Sequence, residues 1–408
     1  DTSSDKKTSA IGTPVATETG IPEEETETSD AEKIAILLLN EDEWTRDAKE
    51  LEAKFKDDGY TPVIMYAQDD ADEQASQVSD MTEEGISAMV IAPVDPYGLS
   101  EELKAAKEAE IPVIAYDDLI MNTDALKYYV TFGGRQIGQL IGQEIIDKEE
   151  LEKLQEEKGS KTIEFLMGSL DDTQALFFYN GLMEKLQPYL DDGTLVCKSG
   201  QITFEETGIL RWSMDEAQSR AEDILEEAYQ DGEAPDIICT GFDGAAEGAV
   251  NALQNNGLTP GENWPMITGV GCDADAVRNI AESEIACSVF MDRRVLADQA
   301  EDMVNVYLHG EDDPEVNDYE QYDNGTKIIA SYLCEPQLIN IDNYEILIDS
   351  GYYTEDEVKP ETTPTPEPTV TPEITEEPDV TATPEVTESP EATITPEVTE
   401  ESEETATP

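Results

Sequence analysis

Apolar positions along this chain keep two periods in alternation. Ile34 to Leu39 form an unbroken apolar run between Lys33 and Asn40, the pattern of a strand buried on both faces. An amphipathic helix is expected over 45–57, ended by Gly59, then a strand over 61–66 and a helix over 72–85. A strand at 88–92, a helix at 97–110 and a strand at 112–116 continue the series. This β-α-β-α-β rhythm predicts a parallel sheet with right-handed crossovers. The rhythm then restarts, with strands at 162–166, from 195, at 237–239 and at 266–270, and helices at 172–190, 213–229 and 245–256. Two α/β halves therefore follow one another. Ligands of open α/β sheets bind outside the carboxyl ends of the strands, so two such halves facing each other predict a cleft between them.

The flanks read differently. Residues 1–32 lack apolar periodicity and are expected to be a flexible tether, with the composition of what remains after a lipoprotein signal and its anchoring cysteine are removed. Residues 359–408 are a loose Pro, Thr, Glu and Val repeat; from Pro360 on it has no aromatic or basic residue, and too little surface to bury to offset its ordering entropy. That tail is expected to be disordered, as a stalk, a cell-wall spacer or a solubilising extension.

Composition narrows the function classes. Of 408 residues, 95 are acidic and 24 basic, a net charge of −71, which repels nucleic acid and anionic membranes. No apolar run is long enough to span a bilayer. The five cysteines, Cys197, Cys239, Cys272, Cys287 and Cys334, contain no CxxC pair, and His309 is the single histidine, which argues against zinc and against histidine-based catalysis. One disulfide or free buried thiols both fit that count. His309 precedes Gly310 and reads as a helix C-terminus.

Carboxylates gather at the expected strand ends. Asn40 to Arg46 follow the first strand, with Trp44 among them. Asp95, Asp117 and Asp118 follow later strands, and Asp171, Asp172, Asp243, Asp273 and Asp275 stand at corresponding places in the second half. A sugar offers hydroxyls that donate and accept, plus an apolar C–H face, and is read by carboxylates, amides and guanidinium groups together with an aromatic ring. A metal site and a glycosidase carboxylate pair are the alternatives for such a cluster. Asp95 reads more simply as a helix-start residue before Pro96.

At this point the chain resembles the ribose-, xylose- and multiple-sugar-binding type of solute-binding protein of ABC importers. The resemblance spans about 33–358. It is carried by Val113 to Asp117, Tyr128 to Phe132, Gly168 to Asp172, Phe177 to Gly181, Lys198 to Gln201, Leu210 to Trp212, Tyr322 to Lys327 and Ser331 to Leu333, in that order. It implies a type I periplasmic-binding-protein fold: two doubly wound, Rossmann-like parallel-sheet domains joined by a three-strand hinge. The first domain would be 33–132 plus 292–325, the second 133–291 plus 326–358. It further implies a monomeric binder, not an enzyme, without cofactor or metal, outside the cytoplasm, tethered by an N-terminal lipid. Its partners would be a small sugar and a permease with its ATPase, or a sensor or chemoreceptor that reads the closed form. Repressors share this fold, but the segment before 33 cannot form their helix-turn-helix.

Roles follow from the resemblance. Trp44 would stack on one sugar face and Trp212 on the other, unless Trp212 is core. Asp117 would accept from adjacent hydroxyls. Thr173 and Gln174 stand where the family usually has two asparagines. Asp243 and Asp273 would bind from the second domain, unless Asp243 only caps a helix. Three positions depart from the family: Glu43 and Asp118 replace basic residues, and Met291 replaces a Lys or Gln. Facing carboxylates are expected to repel and to raise some pKa values. Arg135, read as part of a hinge strand, and Arg211 are candidates for the missing guanidinium. The expected consequence is a shifted ligand preference, toward an amino sugar, a cation-associated sugar or an unusual monosaccharide.

Overall fold

The computed structural model describes residues 31–230, 232–261 and 263–359. Most of the expected tether and tail, 1–30 and 360–408, lies outside the described residues. The strands are β1 (Lys33–Leu38), β2 (Thr61–Tyr66), β3 (Ala88–Ile91), β4 (Val113–Tyr116), β5 (Leu126–Phe132), β6 (Lys161–Leu166), β7 (Leu195–Val196), β8 (Ile237–Thr240), β9 (Met266–Ile267), β10 (Cys287–Phe290), β11 (Ser331–Cys334) and β12 (Gln337–Asn340). The helices are α1 (Glu41–Asp57), α2 (Ala71–Glu84), α3 (Ser100–Glu108), α4 (Gly134–Lys148), α5 (Leu151–Glu156), α6 (Thr173–Asp191), α7 (Phe204–Thr207), α8 (Met214–Ala228), α9 (Asp243–Asn255), α10 (Ala274–Ala281), α11 (Arg293–His309), α12 (Ile346–Asp349) and α13 (Glu355–Val358).

The first sheet runs β2-β1-β3-β4-β5-β11, parallel throughout. The second runs β7-β6-β8-β9, and two parallel bridges, Thr268 with Cys287 and Gly271 with Phe290, continue it to β10. β12 closes that edge antiparallel to β10. Both lobes thus use one doubly wound order, with the chain reversing direction across the sheet after its second strand.

Period-two alternation sorts the core. Ile34, Ile36 and Leu38 of β1 pack with Leu51 and Phe55 of α1 and Leu296 and Ala300 of α11. Ala35 and Leu37 face the other way, toward Val78 of α2 and Leu103 of α3. In the second lobe, Ile163 and Phe165 meet α4 and α6, while Leu166 and Ile238 meet α8 and α9. Between them on β6, Glu164 points into the α8 side and is buried. It survives there by accepting from Tyr229 Oη at 2.8 Å and from Ser199 N at 3.1 Å.

The chain passes between the lobes three times: from β5 into α4, from β10 into α11, and from β11 to β12. The last passage lies later than the sequence reading placed it. Ser331–Cys334 pairs with β5 in the first sheet, so 326–334 belongs with the first lobe, not the second. The segment after α12 also touches both lobes. Arg46 of α1 donates to the Tyr352 carbonyl at 3.0 Å and lies 3.9 Å from that ring's centroid, while Tyr353 Oη donates to the Cys272 carbonyl at 2.9 Å.

All five cysteines are free, and burial pushes Cys239 and Cys334 up to about 12, so they are inert thiols. His309 ends α11 before Gly310, as its neighbours predicted.

Candidate functional site

Two adjoining cavities lie between the lobes, of about 570 and 300 Å³. Asp118, Asp172, Gln174 and Trp212 border both. The larger is completed by Thr173, Asp171, Arg211 and Tyr97 among others, the smaller by Asp117, Phe242, Val270 and Met291. Residues of the first-lobe loops after β3 and β4 therefore face residues of the second-lobe loops after β6, β8 and β9, the strand-end placement that the two-half rhythm predicted.

Several wall residues hold uncommon backbone. Asp117 has φ +69°, and Arg211 and Trp212 each have φ +54°. A non-glycine residue at positive φ costs of order 1 kcal/mol or more and persists where its surroundings fix it. At Asp117 the fixing groups are visible. Its carbonyl accepts from Tyr129 Oη at 2.5 Å and from Thr131 Oγ1 at 2.7 Å. At 211–212 the Arg211 amide donates to Ser169 Oγ at 2.8 Å, and the Trp212 ring stands edge-on to Phe242, centroids 5.4 Å apart at 89°. Gly168 is needed beneath it, since a Cβ there would sit 2.3 Å from the indole. Trp212 is 38% exposed: it is a wall of the cavity and not core.

The carboxylates repel as expected. Asp118 is pushed well up by burial and by the charges of Asp172 and Asp117, against Arg293. Asp172 caps α6 by accepting from Gln174 N at 2.7 Å, yet burial, with Asp117 and Asp171, raises it to about 6.

Other candidates stand elsewhere. Gln174 borders the cavity, but its amide is engaged: Nε2 donates to Tyr129 Oη at 2.9 Å and Oε1 accepts from Gly134 N at 3.0 Å. Trp44 flanks the cavities without lining either, beside Tyr116 and 5.4 Å from the Arg293 guanidinium. Glu43 is exposed in the first turn of α1, its amide donating to Asn40 Oδ1, because the helix starts at Glu41 and not at 45. Asp243 and Asp273 come together, but neither lines a cavity. Asp243 Oδ1 accepts from Ser288 Oγ at 2.6 Å and its Oδ2 from Asp273 N at 2.9 Å, and burial, with Asp273, pushes it up to about 7. Asp273 caps α10.

Arg135 is a correction. It belongs to α4, not to a hinge strand, and its Nε donates to Glu184 Oε1 at 2.7 Å on an exposed face. The cause is the tight α4–α6 contact, where a Cβ on Gly181 would sit 2.0 Å from the Arg135 carbonyl. A second guanidinium, that of Arg293, stands behind the wall and holds Asp117, and sequence reasoning missed it. Its Nη1 lies 3.1 Å from Asp117 Oδ1, and its Nε and Nη2 lie 2.8 and 2.7 Å from Asp47 Oδ1. Asp47 also accepts from Tyr116 Oη at 2.7 Å. Burial works against the charge on Arg293, and Asp117 and Asp47 more than offset it. The Arg293-Arg294 pair two residues past Met291 was the available signal. Arg211 does line the larger cavity. Among the described residues no group of three or more His, Cys, Asp or Glu is placed to hold a metal ion, and no helix is long and apolar enough to cross a membrane.

The chain is similar to known proteins over most of its length. The model of the periplasmic binding protein domain matches residues 34–312. The multiple sugar-binding periplasmic receptor ChvE of Rhizobium radiobacter is 38% identical over 78% of this chain and 88% of its own. The D-xylose-binding periplasmic protein of Escherichia coli is 27% identical over 80% of this chain and 91% of its own. Among solved structures, an ABC transporter solute binding protein from Clostridium phytofermentans with bound β-D-glucose is 39% identical, with a TM-score of 0.73 over 80% of this chain and all of that one. The chain therefore belongs to the periplasmic binding protein family, in company with its sugar-binding members.

Proposed function

We propose that this protein captures a neutral monosaccharide between its lobes outside the cytoplasm and delivers it to an ABC importer, without chemical change to the sugar. The observation that carries this reading is the interlobe cavity that combines Trp212 with Thr173, Arg211 and the carboxyls of Asp117, Asp118 and Asp172. The likeness to the Clostridium phytofermentans protein, which binds β-D-glucose, points to an aldopyranose. The site offers an apolar ring for the C–H face and both donors and acceptors for the hydroxyls. Closure of the two lobes about the three passages would bury the ligand. The partner is a permease with its ATPase, and an N-terminal lipid anchor is part of this reading.

The expected shift toward an amino sugar, a cation-associated sugar or an unusual monosaccharide rested on the loss of basic groups at Glu43 and Asp118 and of a donor at Met291. That premise weakens, because Glu43 is exposed and lines neither cavity, and Arg293 brings a guanidinium beside Asp117. A plain aldose is therefore the better substrate class. A second role, presentation of the loaded form to a membrane sensor, draws support from the description of the Rhizobium radiobacter relative as a receptor.

Thermal unfolding with and without D-glucose, D-xylose and D-glucosamine, followed by recovery of the sugar, tests the reading. A neutral aldose that stabilises the fold and returns unchanged supports it. Stabilisation by glucosamine alone, or recovery of a product, contradicts it.

A further inference from the structure

We infer that Arg293 is the positioning residue that aims Asp117 at the ligand, and that it does so from the passage that joins the lobes. This inference rests on the sugar-binding reading. Asp117 ends β4 in a strained conformation, with its main-chain carbonyl pinned by the hydroxyls of Tyr129 and Thr131. Its side chain has two oxygens with different tasks. Oδ1 accepts from Arg293 Nη1 at 3.1 Å. Oδ2 has no partner among the described residues, and Asp117 borders the smaller cavity. One oxygen is thus clamped and the other is left as an acceptor for a hydroxyl.

Arg293 is itself over-determined. Its side chain is 18% exposed, and Asp47, 5% exposed, takes both Nε and Nη2. Tyr116 Oη fixes that carboxylate from the strand that carries Asp117, and the rings of Trp44 and Tyr116 lie 5.4 and 5.7 Å from the guanidinium. A planar fork held by two carboxylates and bordered by two rings has little rotational freedom.

Its place in the chain adds a second consequence. Arg293 is the first residue of α11, immediately after Phe290, Met291 and Asp292 carry the chain from β10 of the second lobe. Met291 lines the cavity, and Arg293 two residues on is bonded to the first lobe. Any movement of the lobes that rotates this passage acts on the group that orients Asp117.

Isothermal titration of D-glucose and D-xylose against wild type, Arg293→Gln, Arg293→Lys, Asp117→Asn and the Asp117→Asn/Arg293→Gln double variant tests this. Loss of one partner of a buried, hydrogen-bonded charge pair predicts affinity about 30-fold weaker or worse for Arg293→Gln. Lysine keeps the charge and loses the fork, so Arg293→Lys recovers part of that loss. The double variant binds within about threefold of Asp117→Asn alone, because the two act as a unit. Arg293→Gln also strands the buried Asp47 carboxylate, so Asp47→Asn/Arg293→Gln serves as a folded control and stays weak in binding while regaining thermal stability. Binding by Arg293→Gln within about threefold of wild type, or losses that multiply in the double variant, overturns the inference. A wild-type protein that binds neither sugar overturns the sugar-binding reading itself.

Discussion

The side-chain amide of Gln174, at the start of α6 in the second lobe, donates to Tyr129 Oη on β5 of the first lobe at 2.9 Å. The same amide lies 3.2 Å from Thr131 Oγ1, and its oxygen accepts from Gly134 N where the chain enters α4. One residue therefore fastens both lobes and the passage between them. Replacing it by alanine leaves the Gly134 amide without its acceptor and takes one donor from the Tyr129 hydroxyl, which keeps its bond to the Asp117 carbonyl, at a cost of about 1–3 kcal/mol. Gln174→Ala is expected to unfold at lower temperature, with Asp117 less rigidly held and sugar affinity reduced. Differential scanning calorimetry and titration check both. Unchanged stability would mean the clasp does not form in solution.

Trp212 is a wall residue, so its truncation separates binding from folding. It is 38% exposed and rests on Phe242 and Gly168. Trp212→Ala is expected to keep the wild-type unfolding temperature within a few degrees while weakening sugar affinity about tenfold or more, since an aromatic face against an apolar face is a typical hot spot. Equal losses of stability and affinity would instead make Trp212 a core residue.

The acidic wall gives stability a definite slope with pH. Asp172 and Asp243 titrate near 6 and 7, both mainly through burial, against an ordinary aspartate near 3.8. The folded state then holds protons that the unfolded state has released, so their contribution is fully present below about pH 4 and is lost as pH rises through 6 to 7. The ligand-free protein is expected to be more stable at pH 5 than at pH 7.5, by on the order of 2 kcal/mol. Asp172→Asn keeps the helix cap and removes one titration, and so flattens the slope. Denaturant unfolding at the two pH values measures this, and a rising slope would contradict it.

Asp118 gives a related expectation with the opposite sense in mutation. It lies among Asp117 and Asp172, and their charges add to its burial. Asp118→Asn removes one repelling charge and is expected to stabilise the ligand-free protein at pH 7.5 by about 1 kcal/mol. No gain, or a loss, would show that the native carboxylate has partners worth more than the repulsion.

Much of this was legible from local pattern. The strands of the first half, with their period-two burial, fall where the apolar runs placed them, because β1 to β4 are set by short-range alternation. Asp117, Asp118, Thr173 and Met291 reach the cavities because strand ends put them there, whereas Trp212 reaches them from the turn between α7 and α8. What failed depended on helix starts and on returns of the chain. Asn40 caps α1 four residues earlier than expected, which turns Glu43 outward. Arg135 was lost to the α4–α6 contact, which Gly134, Gly138, Gly142 and Gly181 make close enough to seat it against Glu184. Asp243 and Asp273 are spent on each other and on a helix cap. Arg293 reaches Asp47 and Asp117 across 246 and 176 residues, a pairing that no window of sequence contains. The third passage was misplaced because β11 is four residues long and pairs back with β5.

The most direct test is isothermal titration of the purified chain with D-glucose, D-xylose and D-glucosamine at neutral pH. A sugar held between two lobes gives one site per chain, saturable binding to at least one neutral aldose, and no advantage for the amino sugar. At a hundred times its dissociation constant that aldose adds about 2.7 kcal/mol to the stability of the fold. Absence of heat and of stabilisation with every neutral aldose, or tight binding confined to the amino sugar, would contradict the account.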